Sequence, residues 1–288
     1  FLYGLNVTNP EQPSLLWRID SGTTGFSELG QTWSRPRLTK LPGQSNPVLV
    51  FGAGYDPAQD AEPPAANTMG RGIYVVDAVT GALIWSANPS CTASSTCFNV
   101  PSMLYAIPSD VTFVDRSGDG VTDKMYFADL GGNVWRADVS STSTSDWFVT
   151  KVAALGCDTG PCTAGTTPRK FFYPPSVLTV KGSGATGSFE AIAVASGDRE
   201  HPLKDTAAQS SYNVANAFFL IKDYGTSPGT TATVNVTPAD FGAAINGSTY
   251  VDDDTKKGFR YNFATGEKAV NAPLTLQGQT FFSTNRPT

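Results

Sequence analysis

A single histidine, His201, is available to this chain, so any Ser-His-Asp triad would have to be built on that one position. It lies in Arg199-Glu200-His201-Pro202, a proline-terminated turn better suited to capping or lining a loop than to general-base chemistry. No Gly-x-Ser-x-Gly nucleophile elbow is present, and no catalytic or organic-cofactor residues are expected. Charge is also scarce. Charged residues are 16% of the chain, the formal net charge is −5 and the pI is near 4.9, which excludes a nucleic-acid partner bound through its phosphates. No run approaches the roughly 18 apolar residues of a membrane-spanning helix. The longest apolar pieces are of strand length, such as residues 215–221, so no transmembrane segment is expected. The chain starts at Phe1, inside a strand-like stretch, without an initiator Met or signal peptide; this reads as a mature or excised fragment.

The four cysteines fall as two close pairs, Cys91 with Cys97 and Cys157 with Cys162. Zinc competes with disulfides for such pairs, but neither has the two-residue spacing of a zinc knuckle, and His201 is remote from both. Two local disulfides are therefore expected, and with them a periplasmic or extracellular address.

The chain repeats itself every 60 to 70 residues or so, a spacing that points to propeller blades or a similar array. A first strand recurs at residues 33–40, 107–114 and 173–180, each with proline near its start, where a missing ladder N–H is tolerated. Second strands recur at 47–54, 124–129 and 190–197, and third strands at 72–77, 133–138 and 217–223, with an incomplete earlier copy at 2–7. Fourth strands follow at 15–19, 82–86 and 147–152. The turn Asp77-Ala78-Val79-Thr80-Gly81 joins a third strand to a fourth, with glycine where positive φ is needed. A last third-strand-like piece at 278–283 brings the expectation to four or five blades of four strands. The fold class expected is thus all-β, a modified β-propeller, with 1–288 one propeller domain or a fragment of one. Thr237-Pro238-Ala239-Asp240 reads as a helix N-cap with proline in the first turn, and Asp252-Asp253-Asp254 reads as a solvated surface run.

Residues 115–123 carry the most chemistry. Ca²⁺ needs about 6–8 oxygens, and a calcium loop supplies them at alternate positions around a glycine at position six. Here those ligands are Asp115, Ser117, Asp119, the Val121 carbonyl and Asp123, with Gly120 at the bend. Ser117 replaces the usual Asp or Asn, and Tyr126 stands where an EF-hand has a bidentate Glu. The flanks, residues 111–114 and 124–128, are β-branched and aromatic, so the loop is expected to close a β-hairpin rather than link two helices. The competing reading is an Asp-Gly turn whose carboxylates bond their own backbone. Three aspartates in nine residues repel one another without a cation, which favours calcium.

With these pieces placed, the chain resembles the C-terminal propeller of the PilY/PilC family of type IV pilus tip proteins. The likeness rests on residues 30–36, on the loop 115–123 with its tail Asp129-Leu130-Gly131-Gly132-Asn133-Val134-Trp135-Arg136, on Ser196-Gly197-Asp198-Arg199-Glu200-His201-Pro202, and on residues 258–261 and 265–268. The resemblance implies a modified β-propeller at the bacterial cell surface or pilus tip, secreted through the periplasm and needed for pilus assembly. It further implies roles in adhesion, with pilus subunits (minor pilins) and host or surface receptors as partners. In that family the corresponding loop binds calcium, and its occupancy is linked to pilus extension against retraction. Two alternatives remain. One is a pyrroloquinoline-quinone-dependent dehydrogenase-like propeller, although such enzymes spread their calcium ligands over several blades. The other is a carbohydrate-binding propeller using Trp17, Trp33, Trp85, Trp135 and Trp147, whose recurrence within strands favours packing instead.

Overall fold

The computed structural model describes residues 1–158, 162, 166–181, 188–204, 210–225, 236–242 and 255–288. The acidic run 252–254 lies outside them. The chain opens with a two-stranded antiparallel sheet of β1 (Leu2–Asn6) and β2 (Ser14–Ile19). A five-stranded sheet follows in the order β3 (Arg37–Thr39), β4 (Val48–Gly52), β5 (Ile73–Asp77), β6 (Leu83–Asn88) and β7 (Cys97–Asn99). Next comes a four-stranded sheet of β8 (Thr112–Val114), β9 (Lys124–Ala128), β10 (Asn133–Asp138) and β11 (Phe148–Ala154), again in sequence order. Another follows with β12 (Ser176–Val180), β13 (Phe189–Ala195), β14 (Ala217–Asp223) and β15 (Gly258–Asn262). Sequential four-strand meanders are the blade unit of a propeller, so each full repeat in the sequence is one sheet.

Burial sets the sequence character of the strands. Every residue of β9 and β10 is buried, so these strands read as short, nearly continuous apolar runs rather than alternating ones. The outer strand β12 has no fully buried residue, and its sequence signal is correspondingly weaker.

Four features depart from expectation. First, the first strands are shorter than read, because the proline-bearing stretches ahead of Arg37, Thr112 and Ser176 lie outside the ladders. Second, β7 was not read at all; it adds to β6 in parallel, with Ser86 opposite Cys97. Third, residues 278–283 are no third strand. The chain ends in two small antiparallel sheets, β16 (Lys268–Ala269) with β19 (Thr284–Asn285) and β17 (Leu274–Leu276) with β18 (Gln279–Phe281). Fourth, the helix start at Thr237 stops after one 3-10 turn, Pro238–Asp240, where the Asp240 carboxylate accepts from both Thr237 N–H (2.7 Å) and Thr237 hydroxyl (2.9 Å).

Two compact units divide the chain. Unit 1 comprises Phe1–Pro57, Ala66–Met125 and Ala137–Val149; unit 2 comprises Ala58–Ala65, Tyr126–Arg136 and Thr150–Thr288. A core of unit 1 packs Ile19, Phe26, Leu29, Phe51, Ala53, Tyr74 and Val76, with Trp17 and Leu83 against it. In unit 2, Ala193, Ala195, Phe218, Phe263 and Ala269 form a core cluster covered by Phe259 and Phe282.

The tryptophans mostly pack. Trp85 and Trp147 are buried and meet edge to face with centroids 5.6 Å apart. Trp135 is buried and donates from Nε1 to Asp129, while Trp33 is 41% exposed and stacked on Tyr55. Trp17 covers the predicted turn: its ring lies so close over Gly81 (φ +71°) that a Cβ there would come 2.6 Å from Trp17 Cγ. Asp77 completes that turn by accepting from the N–H groups of Val79 and Thr80, both at 2.8 Å.

Candidate functional site

The loop 115–123 joins neighbouring strands β8 and β9, which so short a connection requires to be antiparallel. Its base is tied by Asp123 N–H to Val114 O (2.9 Å) and by Val139 N–H to Asp123 O (2.9 Å). Buried Thr122 anchors it further, with its N–H on Lys40 O (3.0 Å) and its hydroxyl 2.7 Å from Thr39 Oγ1. The tip is exposed from Asp115 to Gly120. The loop is therefore a hairpin, as its strand-forming flanks require.

Within it, Asp115 gathers the backbone. Its Oδ1 accepts from Gly118 N–H (2.6 Å) and the Ser117 hydroxyl (3.3 Å), and its Oδ2 accepts from Gly120 N–H (2.7 Å). These bonds, Gly120's first, hold the Asp115 carboxyl below the usual carboxylate range. Asp119 accepts from Val121 N–H (2.9 Å), and Asp123 Oδ2 from the N–H groups of Arg116 (2.7 Å) and Ser117 (3.2 Å). Gly118 and Gly120 sit at φ +78° and +83° with nothing within 4 Å of an added Cβ, so backbone conformation rather than crowding demands glycine.

The structure thus brings Asp115 and Ser117 into contact and folds all three carboxylates onto loop amides. The three carboxylates do not converge on a point. Among the described residues, the group of His, Cys, Asp or Glu ligand atoms that all lie within 4.8 Å of one another is Glu62, Asp198 and His201 instead. Even so, the loop fits a hard cation: it is exposed, Asp115 is held ionised, the glycines permit the bend, and each carboxylate has more acceptor positions than these amides occupy.

The Glu62, Asp198 and His201 group belongs to a larger ion network in unit 2. Asp198, Glu200 and His201 follow β13; Lys170 precedes β12, Lys268 starts β16, and Glu62 lies on the strap Ala58–Ala65. Lys170, 2% exposed, directs Nζ at Glu200 Oε1, at Asp198 Oδ2 (3.3 Å) and at Gln59 O (3.2 Å). Lys268, 3% exposed, donates to His201 O and to Ser211 Oγ (3.3 Å). His201 Nδ1 is 3.1 Å from Asp198 Oδ2 and 3.7 Å from Glu62 Oε1, while Nε2 is 3.2 Å from Asp60 O.

Burial and the neighbouring Asp198 charge push the Glu200 carboxyl up to about 8. Burial acts on Asp198 in the same direction, but the His201 hydrogen bond and the Lys170 charge outweigh it and keep Asp198 ionised. The hydrogen bond to Asp198 raises His201. Two buried ammonium groups already face these carboxylates, so the cluster holds its own counter-charges.

The sequence pointed to Ser196–Pro202 as a segment and to His201 as a loop-lining residue. It did not point to Glu62, Lys170 or Lys268, because isolated charges far apart in the chain carry no local pattern. The one usable signal was their apolar company, as in Lys170-Phe171-Phe172. The two expected disulfides, Cys91–Cys97 and Cys157–Cys162, are both formed.

No protein-family model matches the chain. Among curated proteins it is 26% identical over 159 residues to a type IV pilus biogenesis factor PilY1 homolog of Xylella fastidiosa, a match covering 54% of the chain and 10% of that protein. It is 30% identical over 147 residues to type IV pilus biogenesis factor PilY1 of Pseudomonas aeruginosa strain UCBPP-PA14, covering 50% of the chain and 11% of the relative. Against PilY1 of strain PAO1 the match is 27% over 205 residues, covering 70% and 15%. The crystal structure of the P. aeruginosa PilY1 C-terminal domain has the same fold, with TM-score 0.65 and 18% identity, over 98% of this chain and 62% of that one. The chain spans 10% to 15% of the length of the curated relatives it matches.

Proposed function

Starting from a chain related in sequence to the PilY1 pilus biogenesis factors and carrying the fold of their C-terminal β-propeller domain, we propose that it is a calcium-binding surface module of a type IV pilus biogenesis protein. In this reading the module stands at the bacterial surface or pilus tip, with pilus subunits as partners, and supports assembly, adhesion and the balance of extension against retraction. The single observation that carries the calcium part is the hairpin of Asp115, Ser117, Asp119, Val121 and Asp123, exposed from Asp115 to Gly120 and bent at Gly120 with positive φ.

The chemistry runs through the carboxylates. Ca²⁺ would be held by Asp115, Ser117, Asp119 and Asp123 side chains and the Val121 carbonyl, and it would supply the charge that lets three aspartates share one loop. Binding draws Asp119 and Asp123 from amides toward a common centre and so stiffens a loop that otherwise relies on internal hydrogen bonds. A stiffened hairpin presents one shape to a pilus partner, and that is how calcium would bear on assembly.

The test is calorimetric. Because a ligand that binds only the folded state stabilises it by mass action, calcium at about 100 times its Kd should add roughly 2.7 kcal/mol and raise Tm, while magnesium should do much less. No calcium response in the parent chain would sink the proposal. For the pilus role, a strain whose pilus protein carries Asp119→Asn should change surface piliation; wild-type piliation with calcium binding abolished would separate the loop from assembly.

A further inference from the structure

The sole histidine is placed against two acceptors at once. Its Nδ1 faces the Asp198 carboxylate at 3.1 Å and its Nε2 faces the Asp60 backbone carbonyl at 3.2 Å. A neutral imidazole has one N–H and can serve only one of them; the imidazolium, which donates from both nitrogens, serves both. Asp198 cannot reverse the bond by donating, because Lys170 Nζ lies 3.3 Å from the same Asp198 oxygen and keeps it an acceptor.

We propose that His201, as imidazolium, is a pH-dependent latch that fastens the strap Ala58–Ala65 to the turn after β13, holding it at mildly acidic pH and loosening it as the pH rises. Other polar contacts also fasten the strap, among them Lys170 Nζ to Gln59 O (3.2 Å) and Ser211 N–H to Glu62 Oε1 (2.9 Å). Losing the proton therefore frees one fastening while others hold, and the result is local opening rather than unfolding.

The surrounding charges set the balance. Facing His201 are Asp198 and Glu200 from its own turn, Glu62 from the strap, Lys170 from the segment before β12 and Lys268 from β16. Glu200 is pushed up to about 8, by burial first, and so carries its own proton at mildly acidic pH; its later ionisation adds a negative charge that favours the imidazolium. The demand for a second N–H on His201 therefore comes from its two acceptors, Asp198 Oδ2 and Asp60 O. The sign follows from linkage: a raised histidine contributes fully below about pH 6.5 and loses that contribution as pH climbs through its folded-state value.

Because the chain has one histidine, its ring resonances report this latch alone. In the unmodified chain, an NMR titration should place the His201 midpoint above about 6.5, the ordinary value. Amide hydrogen exchange across residues 58–65, scaled by intrinsic rate, should rise about tenfold between mildly acidic and mildly alkaline pH. In His201→Gln the exchange should already be fast at acidic pH and no longer respond to pH. A midpoint at or below the ordinary value, or strap exchange unchanged in His201→Gln, would overturn the latch. So would Zn²⁺ or Ca²⁺ that shifts the histidine resonances and slows strap exchange in the parent chain, since the cluster would then be a metal site. The titration of the unmodified chain decides even where the variant fails to fold.

Discussion

Asp223 is completely buried and still charged, which makes it the most exacting side chain in unit 2. Both its oxygens accept from Arg136 Nη1, at 2.8 and 2.6 Å, and Oδ2 also accepts from the Tyr126 hydroxyl at 2.8 Å. Burial alone would raise its carboxyl, and Arg136 reverses that, leaving it below the ordinary value. Arg136→Met alone should cost about 3–5 kcal/mol, because it strands a buried carboxylate, whereas Arg136→Met with Asp223→Leu should recover most of the loss. Urea unfolding of the three chains checks this; equal destabilisation of single and double variants would contradict it. In the loop 115–123 the aspartates are likewise unequal. Asp119 accepts from one amide and Asp123 from two, so Asp119→Asn should abolish the calcium-dependent Tm rise while shifting calcium-free stability by no more than about 0.5 kcal/mol. Asp123→Ala should lower stability even without calcium. Thermal melts with and without chelator separate the two.

At the level of elements, identical sequence positions take on different work. Asp77 and Asp223 both end a third strand, yet Asp77 organises an exposed turn while Asp223 neutralises a buried arginine. Burial of the neighbouring segment, not the residue, separates them. The strand β7 is a second instance. Three residues long, it joins β6 in parallel and is tied back through Cys91–Cys97. A strand so short is marginal by itself, and the crosslink removes loop-closure entropy of about 2 kcal/mol from the unfolded chain. Cys91→Ser with Cys97→Ser should therefore lower stability by about that amount and release the amides of Cys97–Asn99 to exchange, with β4 and β5 still protected; protection persisting at β7 would show that its ladder suffices.

For the molecule as a whole, pH pulls on stability from both sides. Asp223 and Asp77 are lowered, so their contributions stand above about pH 4 and fade as pH falls. His201 and Glu200 are raised, so theirs fade as pH climbs. Tm should accordingly peak in the acidic range and decline from about pH 4.5, the ordinary value of Glu200, through about 8, and a scan flat across that interval would contradict the assigned protonation states. The repeat of four strands, the disulfide pairs and the hairpin nature of residues 115–123 were legible in the sequence. Each follows from local chemistry: strand-forming residues with two covered faces, cysteines close in the chain, and glycines between alternating acids. The parallel strand β7, the end of the helix at Thr237 after one turn and the pairing of 278–283 with 274–276 were not, since each turns on which distant segment was free to accept a hydrogen bond. Sequence alone determined the recurring strands of the four-stranded sheets and the hairpin at residues 115–123. Tertiary structure alone decided where the buried charges meet, because Glu62, Lys170, Asp198, Glu200, His201 and Lys268 compensate one another only when folding removes water from all of them together.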